Sequence, residues 1–393
     1  MTQFRVMALC GVLLSLSACA GEAERRRVSA VAAACGADTS ASSARRTREL
    51  VIPDDEPPCD IVLVPTGIVL AADPNGNHPD PGSFHARDSR GRFYSNSVSE
   101  PGVIAVWDST GQFSRSIGRV GEGPGEFDRS VIQPWALTGD TLVFYNSRRF
   151  TIVHGAGGLI GTIPSRLPIT LHPQSYAVAP GGLVLVGEGY RSSMGRSLSL
   201  VTMSGEHIRS FGDSSPPSAT GEPGGERAVT MQSDDRFWAS LLPHEGYALE
   251  HWTFDGDWVQ SIRREAPWVP RVLNAPAPAT LTRALPFKVA SLSVDEDGLL
   301  YVLTLRAKDD VDLNVRFDND SARSELFDVR LEVIDPVAGR VLARLGPISG
   351  LGIYTDFPRQ FAGTRFGSRR VRTTDDLTNW EIVEFVMRPK GGL

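Results

Sequence analysis

Lysine is nearly missing from this chain. Of its 40 basic residues only Lys288, Lys308 and Lys390 are lysine, a bias of the kind a GC-rich genome imposes and no mark of function. The net charge is −6 and the pI about 5.7, an acidic balance that disfavours nucleic acid as a partner. The seven histidines (His78, His85, His154, His172, His207, His244 and His251) show no His-x-x-x-His or His-Glu-x-x-His spacing, so no zinc signature exists. No Gly-x-Ser-x-Gly elbow is present. The acidic stretch 306–325 lacks the glycine and the terminal glutamate of an EF-hand loop and reads as an elongated, solvated hairpin. The glycine-rich run SIGRVGEGPGEFDRS (116–130) lacks the Lys-Ser/Thr of a phosphate loop. Its Glu122 and Glu126 would repel a phosphate. Amphipathic helical periodicity is also scarce, with one short helix expected at 279–285.

What is there begins with an address. The apolar run at 6–18 falls short of the ~20 residues of a spanning helix and ends in Leu16-Ser17-Ala18-Cys19. This resembles the lipobox of bacterial lipoproteins, which implies cleavage after residue 18 and lipidation of Cys19. Acyl chains contribute about 0.8 kcal/mol per buried methylene, so several of them anchor a protein stably. Alanine at position 20, by the same resemblance, directs the product to the outer membrane. Residues 19–58 are small, polar and charged and read as a flexible tether. Of the four cysteines, Cys10 would leave with the signal and Cys19 would carry lipid. Cys35 and Cys59 then form the only available intrachain pair, either joined in an oxidising compartment or left as two thiols.

The rest, 59–390, reads as one all-β domain. Short alternating or apolar runs are separated by glycine and aspartate turns. In FDVRLEVID, Phe327, Val329, Leu331 and Val333 share one face and Asp328, Arg330 and Glu332 the other. The same paragraph of sequence recurs. Turn glycines Gly111, Gly157, Gly205 and Gly256 fall at nearly even intervals, with Gly339 set further along by an insertion. Such turns are followed by a strand ending in Arg, Ile or Leu and often Gly, as in RSIG, RSFG and QSIR, and a second hairpin lies upstream of each. Two hairpins per repeat make a four-stranded antiparallel unit, the pattern of a propeller blade. Five complete units are expected at 84–119, 132–164, 174–212, 227–264 and 288–346. A sixth is expected from three C-terminal strands, with CDIVLVPTG (59–67) completing it and closing the ring.

DSRGRFYSNS…IAVWDSTGQFSRSIGRVGEGPGEF resembles the bacterial six-bladed β-propeller proteins related to the NHL-repeat family, strongest over 88–127 and 291–304. The resemblance implies a six-bladed propeller with Gly-x-Gly-Pro-Gly-x-Phe leading from one blade to the next. Gly121, Gly123, Pro124, Gly125 and Phe127 are therefore expected to form a blade connector. Fainter copies stand at GEPGGER (221–227) and DPGSF (80–84).

No motif identifies a catalytic residue, and no resident cofactor is expected. A calcium or zinc site gathered from several blades stays open, because channel ligands need no sequence spacing. By architecture, His85, Trp135, Tyr176, Arg227 and Lys288, each near the start of an inner strand, are the candidates to line the channel or its mouth. Two functions follow. One is a monomeric, lipid-anchored envelope scaffold binding a protein, peptide or glycan. The other is a metal-dependent lactonase, lyase or hydrolase working in the central channel.

Overall fold

The computed structural model describes residues 48–54, 59–72, 85–167, 175–187, 198–212, 227–269, 287–308, 327–348 and 359–390, apart from short internal breaks. The lipobox, Cys35, the expected helix, both fainter connector copies and nearly all of the acidic insertion lie outside the described residues. The described residues are all β.

Two strands precede the blades, β1 (Glu49–Pro53) and β2 (Cys59–Leu70). The first blade is β3 (His85–Arg87), β4 (Phe93–Asn96), β5 (Ile104–Trp107) and β6 (Phe113–Ile117). The second is β7 (Gln133–Ala136), β8 (Thr141–Asn146), β9 (Arg149–His154) and β10 (Leu159–Pro164). The third is β11 (Tyr176–Ala179), β12 (Leu183–Val186), β13 (Leu198–Thr202) and β14 (His207–Phe211). The fourth is β15 (Val229–Ser233), β16 (Arg236–Ser240), β17 (Ala248–Thr253) and β18 (Trp258–Glu265), with β1 added in parallel outside β18. The fifth is β19 (Phe287–Val294), β20 (Leu300–Ala307), β21 (Phe327–Asp335) and β22 (Arg340–Ile348). Within each blade the strands run antiparallel in sequence order.

The chain is a β-propeller, but the expected six separate blades are five. The last strands, β23 (Arg359–Ala362), β24 (Arg365–Thr374) and β25 (Leu377–Pro389), make no sheet of their own. They join the fifth blade in one eight-stranded sheet, ordered β19-β20-β21-β22-β2-β25-β24-β23. The reason is that β2 is long enough to use both of its edges. Cys59 and Asp60 pair in parallel with Ala343 and Arg344 of β22, while Ile61 to Leu70 pair antiparallel with β25. A strand with both edges bonded fuses what would be two sheets, and it leaves neither neighbour with a bare edge there.

Apolar residues from facing blades form the cores. Tyr94, Val106 and Phe127 meet Leu142 and Phe144 between the first and second blades. Leu185, Leu200 and Phe211 meet Phe237 and Ala239 between the third and fourth. The ring closes where Leu70 of β2 packs with Phe93, Ala105 and Trp107 of the first blade, and where β23 packs on β3. A buried ion pair crosses the same seam, Arg87 Nε to Glu384 at 3.4 Å. Both faces of a blade are covered by its neighbours. Hence the charged side of β21 is not a solvated face, and Glu332 is fully buried.

Turns repeat one chemistry. Asp88 Oδ1 accepts from the backbone N–H of Arg90 and Arg92, and its Oδ2 accepts from the Tyr94 hydroxyl at 2.8 Å. Asp295 does the same with Asp297, Leu299 and Tyr301. Asp108, Thr202 and Thr253 hold their own turns in like manner, each with a positive-φ glycine three residues on. A short polar side chain thereby satisfies turn amides that the ladder leaves free.

Candidate functional site

The glycine-rich run leads from β6 toward the second blade. Its amides are consumed locally: Gly121 N–H donates to Phe127, Glu126 N–H to Gly123, and Phe127 N–H to Arg119. The Glu126 carboxylate accepts from Gly123 N–H at 2.8 Å and pairs with Arg119 at 2.6 Å, so its pKa is lowered by that backbone bond first and by the arginine second. Arg149 of β9 takes the carbonyls of Gly121 and Glu122. Phe127 is fully buried and meets Phe144 edge-on, ring centroids 5.9 Å apart. A Cβ on Gly118 would lie 2.3 Å from the Phe127 ring, and its φ of +79° also favours glycine. The run therefore closes on itself and on the blade after it, with no ring of free amides for an anion. Pro124 and Gly125 shape its tip, where Gly125 faces Leu159.

The five channel candidates have different surroundings. The first strands pack on one another as an inner ring, β3 on β7 and β23, β11 on β15, and β15 on β19. His85 and Lys288 stand on this ring and are half-buried. Trp135 is also half-buried, but its ring leans on Phe150 and the core between the second and third blades. Tyr176 is buried in that same core. Arg227 is buried just before β15. Its Nη2 pairs with Glu250 at 2.6 Å, and its Nε donates to the carbonyl of Ser240. Glu250 also accepts from the Trp252 indole at 3.2 Å. Of the five, His85, Trp135 and Lys288 keep partial exposure, while Tyr176 and Arg227 are buried.

The densest polar cluster of the described residues joins Asp54, Arg264, Glu332 and Arg344. Arg264 of β18, with its side chain 1% exposed, donates to the carbonyls of Ile52 and Pro53 at 3.0 and 2.8 Å. It also pairs with Asp54 at 2.5 Å and with fully buried Glu332 at 3.2 Å. Arg344 of β22 joins both acids, with Glu332 at 3.1 Å. Burial alone would raise the Asp54 pKa, but the two arginines bring it below the usual carboxylate value. Burial lifts the Tyr247 phenol far above its ordinary value, and the charge of Glu332 adds to the effect. In the sequence Glu332 is one of three charged residues on the polar face of FDVRLEVID, with nothing local to mark it as buried. Its partners are far away in sequence, so periodicity could not supply them.

Among the described residues no group of three His, Cys, Asp or Glu side chains is placed to hold a metal ion, and no helix is long and apolar enough to cross a membrane. Cys59 is disulfide-bonded, to a partner outside the described residues.

No protein-family profile matches the chain, and no curated protein matches it. Among solved structures, a candidate exported protein from Bacteroides fragilis superposes with a TM-score of 0.53 at 10% identity, over 87% of this chain and 99% of its own. A protein of unknown function from Bacteroides caccae matches at 13% identity, over 68% of this chain and 84% of its own, with a TM-score of 0.38. At such an identity the first likeness supports the propeller fold alone.

Proposed function

We propose that the protein is a monomeric binding scaffold of the bacterial envelope, held at the outer membrane by lipid on Cys19, whose propeller takes up a protein, peptide or glycan. The observation that supports this best is the packing of the first strands on one another, with half-buried His85 and Lys288 on the first strands of the first and fifth blades. A cation and an imidazole on a rigid concave scaffold suit a polar or acidic ligand. The lipobox motivates the location, and the Bacteroides fragilis neighbour, a candidate exported protein, is in keeping with it.

The test has two arms. Cys19→Ala is expected to move the protein from the membrane fraction to the soluble envelope fraction. Retention in the membrane would refute the anchor. For the scaffold, cross-linking in intact envelopes compares wild type with His85→Ala/Lys288→Ala. A partner recovered by wild type should fall by about tenfold with the double variant if those contacts are worth ~1.4 kcal/mol together. Equal recovery would exclude the inner ring as the binding surface.

A further inference from the structure

The outer rim of this propeller accepts strands. β1 lies parallel along the outer edge of β18, Glu49 opposite Ser261 through Pro53 opposite Glu265, and Ser261 N–H donates to the carbonyl of Arg48 at 2.7 Å. Only part of β1 is gripped. Ile52 is buried in the core between the fourth and fifth blades and Leu50 packs against its edge, whereas Val51 is 53% exposed. Beyond Ile52 the recognition is polar and already built. Buried Arg264 reads two successive backbone carbonyls and one carboxylate, and Arg344 reads the same carboxylate. Glu332 of β21 pairs with both arginines, so one of their acidic partners lies outside β1. These are the parts of a strand-addition peptide site: main-chain bonds for affinity, an apolar pocket, and a charged reader for specificity.

We infer that the outer edge of β18, backed by Arg264 and Arg344, is a binding site for an extended peptide with an apolar residue followed two positions later by a carboxylate, and that residues 49–54 occupy it in cis. A partner segment of that pattern would take their place. This gives the peptide form of the scaffold reading a second surface, the rim instead of the inner ring. A cis segment acts at an effective concentration of about millimolar, so a free peptide competes poorly against it until it is weakened.

The probe is a fluorescein-labelled peptide of residues 48–55, Arg-Glu-Leu-Val-Ile-Pro-Asp-Asp, added to the full chain and followed by anisotropy. Ile52→Ala/Asp54→Ala weakens the cis occupant and leaves Arg264, Arg344 and Glu332 in place. This variant is expected to bind the peptide at least about tenfold more tightly than wild type does. The peptide with alanine in place of its first aspartate should lose at least about tenfold. A folded variant that binds no better than wild type overturns the inference, and so does a peptide indifferent to that aspartate. Should the variant not fold, hydrogen exchange on wild type decides. Excess peptide should speed exchange of the amides of 49–52, and unchanged exchange there overturns the site. The His85/Lys288 comparison above reads a different surface, so either idea can fail alone.

Discussion

Two turns built on the same plan differ in their charged neighbours, and the difference moves the pKa of the central aspartate in opposite directions. Asp88 and Asp295 each accept two backbone N–H groups and a tyrosine hydroxyl. Burial raises the pKa of both. At Asp88 the Tyr94 hydroxyl and Arg92, the latter paired at 2.6 Å, reverse that and bring it below the usual value. At Asp295 the equivalent position is Leu299 and Asp297 adds a second negative charge, so burial prevails and the pKa is raised. The signs for stability are opposite. Asp88 contributes stability that is present above the unfolded aspartate pKa and lost as pH falls through its lowered folded value. Asp295 costs stability above its raised folded pKa, and the cost is relieved as pH falls through that value toward the unfolded one. Carboxyl NMR titration should show Asp295 protonating at higher pH than Asp88. Leu299→Arg should bring Asp295 down toward Asp88. An unmoved Asp295 would mean that the arginine is not what separates the two turns.

Strands and connectors were legible to different depths. Alternation and turn glycines placed the first five units nearly where the strands lie, because period two and positive φ are local properties. The fate of β2 was half-legible. An orphan apolar strand needs a partner, but nothing local says that it will bond β22 as well as β25 and so merge two sheets. The Arg264 cluster was illegible for the same reason, since Asp54, Arg264, Glu332 and Arg344 meet only through topology. Phe127, which follows the glycine-rich run, is fully buried in the core shared by the first two blades. Phe127→Ala should cost about 3–5 kcal/mol in chemical denaturation, as expected for a fully buried aromatic. Phe127→Leu should recover much of that, because a volume-retaining apolar swap usually costs under about 1.5 kcal/mol. A loss below ~1 kcal/mol for alanine would mean that the connector does not staple the first two blades.

At the scale of the whole molecule the question is what keeps a ring of blades from opening. Cores between successive blades explain most of the circumference, and the seam between the last strands and the first blade is where the early and late parts of the chain meet, because β2 bonds β25 while the strand after it in sequence, β3, opens the first blade. There the closure rests on side chains: Leu70 from β2 in the pocket of Phe93, Ala105 and Trp107, and Arg87 paired with buried Glu384. Arg87 and Glu384 lie far apart in sequence, so the loop-closure entropy of that contact is recovered only when the ring is whole, whereas Leu70 holds β2, and through it β25, against the first blade. Leu70→Ala should therefore cost about 2–5 kcal/mol, the range for a buried leucine. The loss should appear in one cooperative transition, because an open seam exposes the core on both sides of it. Leu159→Ala, on the uncovered outer strand β10 and 46% exposed, is the matched control and should stay within about 0.5 kcal/mol of wild type. Equilibrium urea unfolding followed by tryptophan fluorescence gives both numbers. If Leu70→Ala matches the control, or if it splits the transition and releases one blade early, then β2 decorates the ring and does not lock it.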